Sequence, residues 1–195
     1  MPKPYIVKDE YTKRARIEGF RARSVFKLKE LDEKYGLFAP GLKVLDLGAA
    51  PGSWLQYISA KIEPDGKVLG LDLAPIKPIS KNVKTYECDI TKPDEVEGYL
   101  KKEELGKVDI IVSDLAPATT GIKYTDQQRS LELDQAVLKI AQKHLNPGGA
   151  LVMKIFQGPK MDQFIKNLKS QFKFVQTTTV SASRDRSKEM YIICY

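Results

Sequence analysis

The fold of this chain is indicated first by KVLDLGAAPGSWLQYISAKI, residues 43–62. The beginning of this stretch is a short apolar run typical of a buried β-strand, and Ser53 stands where an amphipathic helix begins. Between them lies a turn with Gly48 and Gly52, which lack side chains and let a ligand approach the backbone closely. Because ligands of open α/β sheets bind beyond the carboxyl ends of the strands, we expect a cofactor at this turn.

The alternation of strand and helix continues along the rest of the chain. Further strands are predicted at 67–73, 83–89, 107–114, 150–156, 172–180 and 189–195, and helices at 25–38, 92–103, 126–145 and 161–172. Strands that are nearly all apolar and separated by helices indicate a mostly parallel sheet with helices on both faces. The last two strands have no helix between them, which predicts an antiparallel hairpin at one edge of a seven-stranded sheet. We interpret residues 1–195 as a single α/β domain that includes a basic N-terminal extension and helix, residues 1–40.

The composition is that of an ordinary globular protein, with 42% hydrophobic and 29% charged residues. No apolar run reaches the ~20 residues of a membrane span, and the N-terminus has no apolar segment of the kind found in secretion signals. Cys88 and Cys194 lie far apart without metal-ligand spacing, which favours two reduced thiols. We therefore expect a cytoplasmic protein with no metal site and no membrane contact.

The net charge of +7 is concentrated near the N-terminus. Residues 11–29 contain seven basic side chains against Glu18 alone, and these are Lys13, Arg14, Arg16, Arg21, Arg23, Lys27 and Lys29. A charge run is commonly a solvated helix face. Arginine, however, binds phosphate through two parallel hydrogen bonds and stacks on bases, and aromatic residues are interleaved here. We predict nucleic-acid binding through Arg14, Arg16, Arg21 and Arg23.

Acidic residues stand at the carboxyl ends of four predicted strands, namely Asp46, Asp72, Asp89 and Asp114. The glycine turn matches neither the G-x-G-x-x-G pattern of dinucleotide sites nor a Walker loop. Asp72 follows the first glycine at about the spacing at which an acid commonly binds ribose hydroxyls. A group of carboxylates suits a phosphate-free cofactor with a ribose, such as S-adenosylmethionine, although each aspartate alone is also typical of a turn.

Lys154 interrupts the otherwise apolar run LVMKIF, residues 151–156. A charged amine within a buried strand must reach solvent, find a partner or serve a function. Taken alone, Lys154 favours an amine that extends from the strand end to solvent.

Five motifs, in order and at matching spacing, give the chain a specific resemblance. They are RARSVFKLKELDEKY (21–35), LDLGAAPGSW (45–54), SDLAP (113–117), VMKIFQG (152–158) and SRDRSKEMYI (183–192). Together they resemble the FtsJ/RrmJ family of S-adenosylmethionine-dependent ribose 2′-O-methyltransferases, over essentially the whole chain. One departure is Ser53, where bacterial members often have glycine, and serine is a good residue for the start of a helix.

The resemblance implies a Rossmann-like methyltransferase fold and a catalytic tetrad of Lys27, Asp114, Lys154 and Glu189, with Lys154 as the general base. It also implies cofactor contacts from Gly52, Trp54, Asp72, Asp89 and Asp114, to which the glycine turn adds Gly48, and S-adenosylhomocysteine as the product. The implied substrate is a ribose, expected to be a uridine, in large-subunit ribosomal RNA, methylated by a monomeric enzyme. Two alternatives remain open: a tRNA ribose methyltransferase, and a non-catalytic RNA-binding assembly factor.

Overall fold

The computed structural model describes residues 10–117, 121, 123–158, 160–183 and 189–195. Its strands are β1 (Lys43–Leu47), β2 (Lys67–Asp72), β3 (Val83–Glu87), β4 (Val108–Ser113), β5 (Leu145–Phe156), β6 (Val175–Thr178) and β7 (Glu189–Cys194). Its helices are α1 (Glu10–Ile17), α2 (Val25–Tyr35), α3 (Ser53–Ile62), α4 (Pro93–Lys102), α5 (Lys123–His144) and α6 (Met161–Lys169). Residues 184–188, which belong to the last of the five motifs, lie outside the described residues.

The strands form one seven-stranded sheet in the order β3-β2-β1-β4-β5-β7-β6. The five strands from β3 to β5 are parallel, while β7 runs antiparallel to both β5 and β6. The predicted fold class is therefore confirmed, including the antiparallel C-terminal hairpin at one edge. Within that hairpin, β7 lies between β5 and β6, so the last strand of the chain pairs directly with the strand that contains Lys154.

The helices cover both faces of the sheet because side chains alternate along the central strands. Val44, Val112 and Val152 pack with α2 and α3, whereas Leu45, Ile111 and Leu151 pack with α4, α5 and α6. The nearly continuous apolar strands follow from this arrangement, since a strand covered on both faces has no solvent side.

Two segments differ from the sequence-based expectation. The helix α1 lies in the basic N-terminal segment, where no helix was predicted; it packs through Ala15, which is 2% exposed. Residues 146–149 were expected to separate α5 from the next strand, but β5 already begins at Leu145. These residues form an irregularity in the pairing, because Val108 pairs with Leu145 and Ile110 with Ala150.

The carboxyl ends of the parallel strands meet at one edge of the sheet. β1 leads into the glycine turn, β2 ends in Asp72, and Asp114 directly follows β4. No helix in the described part of the chain is long and apolar enough to cross a membrane.

Candidate active site

Lys154 lies enclosed near the carboxyl end of β5 and is only 7% exposed. Its Nζ donates a hydrogen bond of 2.7 Å to the carbonyl oxygen of Asp114, and lies 3.0 Å from Oδ1 of the same residue. The parallel pairing of β4 with β5 explains the contact, because it brings the loop after Ser113 beside the lysine. The amine is held by a partner within the protein, in contrast to an amine that extends to solvent.

Lys27 and Glu189 complete the group of charges around Asp114. Lys27 Nζ lies 2.6 Å from Glu189 Oε1 and 3.9 Å from Asp114 Oδ1. Burial raises the pKa of Glu189, but hydrogen bonds from Lys27 and Ser183 and the nearby lysine charges outweigh it, so the pKa lies below its ordinary value. The structure thus brings together all four residues of the predicted tetrad, with Asp114 between two amines.

Tyr191 is a fifth member of this cluster that sequence reasoning missed. Its hydroxyl donates a hydrogen bond of 2.8 Å to Asp114 Oδ1, and in the sheet Tyr191 stands opposite Lys154. Burial raises the pKa of Tyr191 well above its ordinary range, and the charge of Asp114 adds to this effect. Its position two residues after Glu189, on the same face of a strand, is the sequence signal that could have identified it.

The glycine turn after β1 leaves no room for side chains at its two glycines. A Cβ at Gly48, where φ is +83°, would lie 2.6 Å from Leu115 Cδ2. A Cβ at Gly52, where φ is +101°, would lie 2.8 Å from Arg21 Nη1. Both positions require glycine for their left-handed backbone and for the close approach of neighbouring groups. The turn, which we call the glycine cradle, is therefore packed closely against Leu115 and Arg21 at the carboxyl edge of the sheet.

Asp72 and Asp89 are anchored by hydrogen bonds from nearby segments of the same edge. Asp72 accepts bonds from the backbone N–H groups of Ala50, at 2.9 Å, and Ala74, at 2.8 Å. Asp89 accepts bonds from the hydroxyl and backbone N–H of Thr91, which lower the pKa of the Asp89 carboxyl. Both carboxylates are thereby oriented and remain partly exposed.

Asp46 differs from these two aspartates because its carboxyl group is 1% exposed and neither oxygen has a hydrogen-bond partner among the described residues. Burial raises the pKa of Asp46 well above its usual range, and the negative charges of Asp114 and Asp72 raise it further. A buried polar group without a partner is costly and indicates strain or a function.

Trp54 lies in the core at the start of α3 and is 3% exposed. Its Nε1 donates a hydrogen bond of 2.8 Å to the carbonyl oxygen of Ser24, and its ring lies 6.2 Å from that of Tyr191. These contacts fix α3 against α2 beside the tetrad. Contact between Trp54 and a cofactor stays a prediction.

Comparison with known proteins agrees with this geometry. The family model described as FtsJ-like methyltransferase matches residues 20–195, which include every residue of the tetrad. The chain belongs to the FtsJ-like methyltransferase family. It is an enzyme of methyl transfer, as the tetrad and the cradle at the sheet edge suggest.

Relatives share the sequence of this chain, and a more distant protein shares its fold. The Coxiella burnetii protein named ribosomal RNA large subunit methyltransferase E is 43% identical over 190 residues, 95% of this chain and 89% of the relative. A crystal structure of a Plasmodium falciparum protein named as a ribosomal RNA methyltransferase has a TM-score of 0.79 and 31% identity, covering 90% of this chain and 97% of that one. Aeropyrum pernix fibrillarin, solved with natively bound S-adenosyl-L-methionine, shares the fold with a TM-score of 0.60, 20% identity and coverage of 87% and 74%.

The arginines of the basic segment have different surroundings in this FtsJ-like fold. Arg14 pairs with Glu18, its Nε 2.6 Å from Oε1, while Arg16 is exposed on α1. Arg23 donates a hydrogen bond of 2.7 Å to the carbonyl oxygen of Ala182. Their contact with RNA stays a prediction.

Arg21 connects two loops at the carboxyl edge of the sheet. Its Nη1 donates to the carbonyl oxygens of Pro51, at 3.1 Å, and Lys77, at 2.8 Å, and its Nη2 donates to that of Pro78, at 2.8 Å. Pro51 belongs to the glycine turn, whereas Lys77 and Pro78 belong to the loop after β2. RNA contact by Arg21 also stays a prediction, but its guanidinium already has three backbone partners.

Leu73 is another residue that sequence reasoning missed. It follows Asp72 directly and is 74% exposed, which is unusual for a large apolar side chain. It gives the cofactor edge an apolar surface beside the carboxylate. The signal in the sequence was the apolar residue directly after a strand-end acid.

Proposed function

We propose that this enzyme transfers a methyl group from S-adenosylmethionine to the 2′-hydroxyl of a uridine ribose in large-subunit ribosomal RNA. The observation that carries the proposal is the enclosed Lys154 amine, held by Asp114 at the same sheet edge as the glycine cradle. The relatives named ribosomal RNA large subunit methyltransferase E support the choice of RNA.

The residues at the sheet edge fit S-adenosylmethionine. Asp72 is oriented by two N–H groups and is available to ribose hydroxyls, and the left-handed Gly48 and Gly52 shape the turn beside it. Asp46 offers a buried carboxyl group without a partner among the described residues, in a region whose negative charges favour a positively charged ligand. When bound, S-adenosylmethionine supplies an electrophilic methyl group and becomes S-adenosylhomocysteine.

Lys154 acts as the general base in this proposal. A neutral Nζ accepts the proton of the ribose 2′-hydroxyl as the oxygen forms its bond to the methyl carbon. The carbonyl and carboxylate oxygens of Asp114 orient the amine, and Tyr191 and Lys27 fix the carboxylate in turn. Glu189 balances the charge of Lys27. The protein contributes alignment and proton transfer, which requires the two reactants to be held in contact.

RNA binding is assigned to the basic segment through Arg14, Arg16, Arg21 and Arg23, of which Arg21 also contacts the glycine turn. Arginine neutralises phosphates and releases counterions, so this contact should weaken as salt concentration rises.

The complete tetrad comes from a single chain, which supports action as a monomer. A cytoplasmic location follows from the proposed ribosomal substrate.

The test is transfer of labelled methyl to isolated large ribosomal subunits, to naked ribosomal RNA and to tRNA, followed by identification of the modified nucleoside. We expect a 2′-O-methyluridine confined to large-subunit RNA. Label in tRNA would show that tRNA is the substrate in place of ribosomal RNA. If no RNA is labelled while the protein still binds the cofactor, a non-catalytic assembly factor is favoured.

The basic segment is tested separately by comparing Arg16→Gln with Lys67→Gln, which changes an exposed lysine at the opposite, amino-terminal edge of the sheet. We expect only Arg16→Gln to weaken RNA binding and to reduce its salt dependence. Equal RNA binding by both variants would mean that Arg16 does not contact the RNA.

A further inference from the structure

A cavity of about 150 Å³ lies at the carboxyl end of β5, on the opposite face of the sheet from Lys154. Its apolar wall consists of Leu131 from α5, Ile155 and Phe156 from β5, and Met161 and Phe164 from α6. Ile155 and Phe156 directly follow Lys154 in the chain. The proposed general base and this cavity are therefore neighbours along one strand.

Phe156 also connects the cavity to the catalytic amine in space. Lys154 Nζ lies 5.5 Å from the centroid of the Phe156 ring, while the same ring lines the cavity. A nucleotide has its ribose and base joined by one bond. Phe156 is the last residue of β5, so a ribose held at Lys154 can extend its base around the carboxyl end of the strand, past the Phe156 ring, toward the cavity on the other face.

The size of the cavity suits a single six-membered ring. A dry apolar cavity of about 150 Å³ holds benzene. A pyrimidine base has one ring of this size, whereas a purine has two fused rings.

Polar groups lie on one side of the cavity, along a single face of α5. Gln127, Ser130 and Asp134 all line it, and their spacing of three and four residues places them on the same side of the helix. The Asp134 carboxyl group makes no hydrogen bond within the described part of the chain. Burial raises its pKa to about 7, and the charge of Lys154 acts in the opposite direction.

We propose that this cavity receives the uracil base of the target nucleotide, with Asp134 accepting a hydrogen bond from the N3–H group. This inference rests on the proposed function, and it names the group that selects the base. Uracil presents a donor between two carbonyl acceptors. A carboxyl oxygen of Asp134 accepts from that donor, while the Ser130 hydroxyl and the Gln127 amide can donate to the carbonyl groups. The apolar wall covers the ring.

The experiment uses the full-length enzyme and large-subunit RNA transcripts that contain the mapped target position. The target is uridine, cytidine or 3-methyluridine, the last of which has lost the N3–H group. The enzymes are the unaltered protein, Asp134→Asn and the control Asp162→Asn, which changes an exposed acid in the first turn of α6. Methylation rate, cofactor affinity and thermal unfolding are measured for each.

We expect the unaltered enzyme and Asp162→Asn to prefer uridine and to lose about tenfold or more in kcat/KM on both other RNAs, as the loss of a base-specific contact predicts. Asp134→Asn should reduce the preference for uridine over cytidine by a similar factor, because its amide can donate to the ring nitrogen of cytosine. Cofactor affinity should not change.

An unchanged preference in a folded Asp134→Asn variant would overturn the inference. If that variant does not fold, equal rates of the unaltered enzyme on uridine and 3-methyluridine would overturn it instead. Either result leaves the proposed function intact as long as the ribose is methylated. Absence of methyl transfer by the unaltered enzyme would overturn both.

Discussion

Two regions at the carboxyl ends of the strands are built in different ways. They are the tetrad, which we call the catalytic corner, and the glycine turn with Asp72 and Asp89, which is the proposed cofactor edge. At the catalytic corner, Lys27, Asp114, Lys154 and Glu189 come from distant parts of the chain and hold one another through charge pairs. At the cofactor edge, Asp72 and Asp89 are held chiefly by neighbouring backbone and hydroxyl groups.

This difference determines how each region responds to change. Side chains at the catalytic corner depend on one another, because removal of one charge leaves another buried without its partner. The cofactor edge depends instead on the path of the backbone, which the glycine turn and Arg21 maintain. Substitutions at the catalytic corner should therefore change the rate of methyl transfer, whereas substitutions at the cofactor edge should change cofactor affinity.

Lys154→Ala should produce the largest effect. Removal of the proton acceptor is expected to lower methyl transfer by ~10²–10⁴-fold while cofactor affinity remains unchanged. Lys154→Arg should also be inactive, because a guanidinium does not give up its proton in proteins. Turnover on large ribosomal subunits and calorimetric cofactor titration check both statements, with Lys67→Ala as control. Near-normal turnover in Lys154→Ala would remove this residue as the base.

Arg21→Gln should weaken cofactor binding. Loss of the hydrogen bonds to Pro51, Lys77 and Pro78 frees two loops, and we expect cofactor affinity to fall about tenfold. The matched variant Arg16→Gln changes an exposed arginine of the same segment and should leave cofactor affinity unchanged. Cofactor titration of both variants without RNA makes the comparison. Equal affinities would mean that the loops keep their positions without Arg21.

Glu189→Gln should lower turnover less than Lys154→Ala, because it removes the charge that balances Lys27 and leaves the base in place. The folded-state pKa of Glu189 lies below the ordinary 4.5. Its charge therefore stabilises the fold above that pH, and this contribution is lost as pH falls through the folded-state pKa. Unfolding experiments at decreasing pH should show a shallower loss of stability in Glu189→Gln than in the unaltered enzyme. Identical slopes would contradict this assignment.

Asp46→Asn should show the opposite pH dependence of the free energy of unfolding. Burial raises the folded-state pKa of Asp46 above the ordinary 3.8, so the folded state retains a proton that the unfolded state has lost. The contribution of Asp46 to the free energy of unfolding is fully present below pH 3.8, and it is lost as pH rises through the folded-state pKa. We expect the free energy of unfolding to decline less with rising pH in Asp46→Asn. A decline as steep as that of the unaltered enzyme would show that Asp46 is not the group responsible.

Local sequence patterns predicted the strands, the parallel sheet and the glycine turn, since apolar periodicity and turn residues act over a few positions. The same patterns missed α1, whose residues are mostly polar and whose packing depends on Ala15 meeting the rest of the fold. They also misplaced the start of β5, because Leu145 already pairs with β4 ahead of the irregularity at residues 146–149. The tetrad was anticipated through family motifs, and taken singly its residues resemble surface charges.

By itself, the sequence determined the order of strands and helices and the position of the glycines and aspartates along one sheet edge, because these depend on residues close together in the chain. Only the tertiary structure decided that Tyr191 would hold Asp114, that Arg21 would join two cofactor loops, and that Asp134 would face a cavity beside Phe156. These contacts join residues far apart in sequence, and they exist only where strand pairing and helix packing bring distant side chains within a few ångströms.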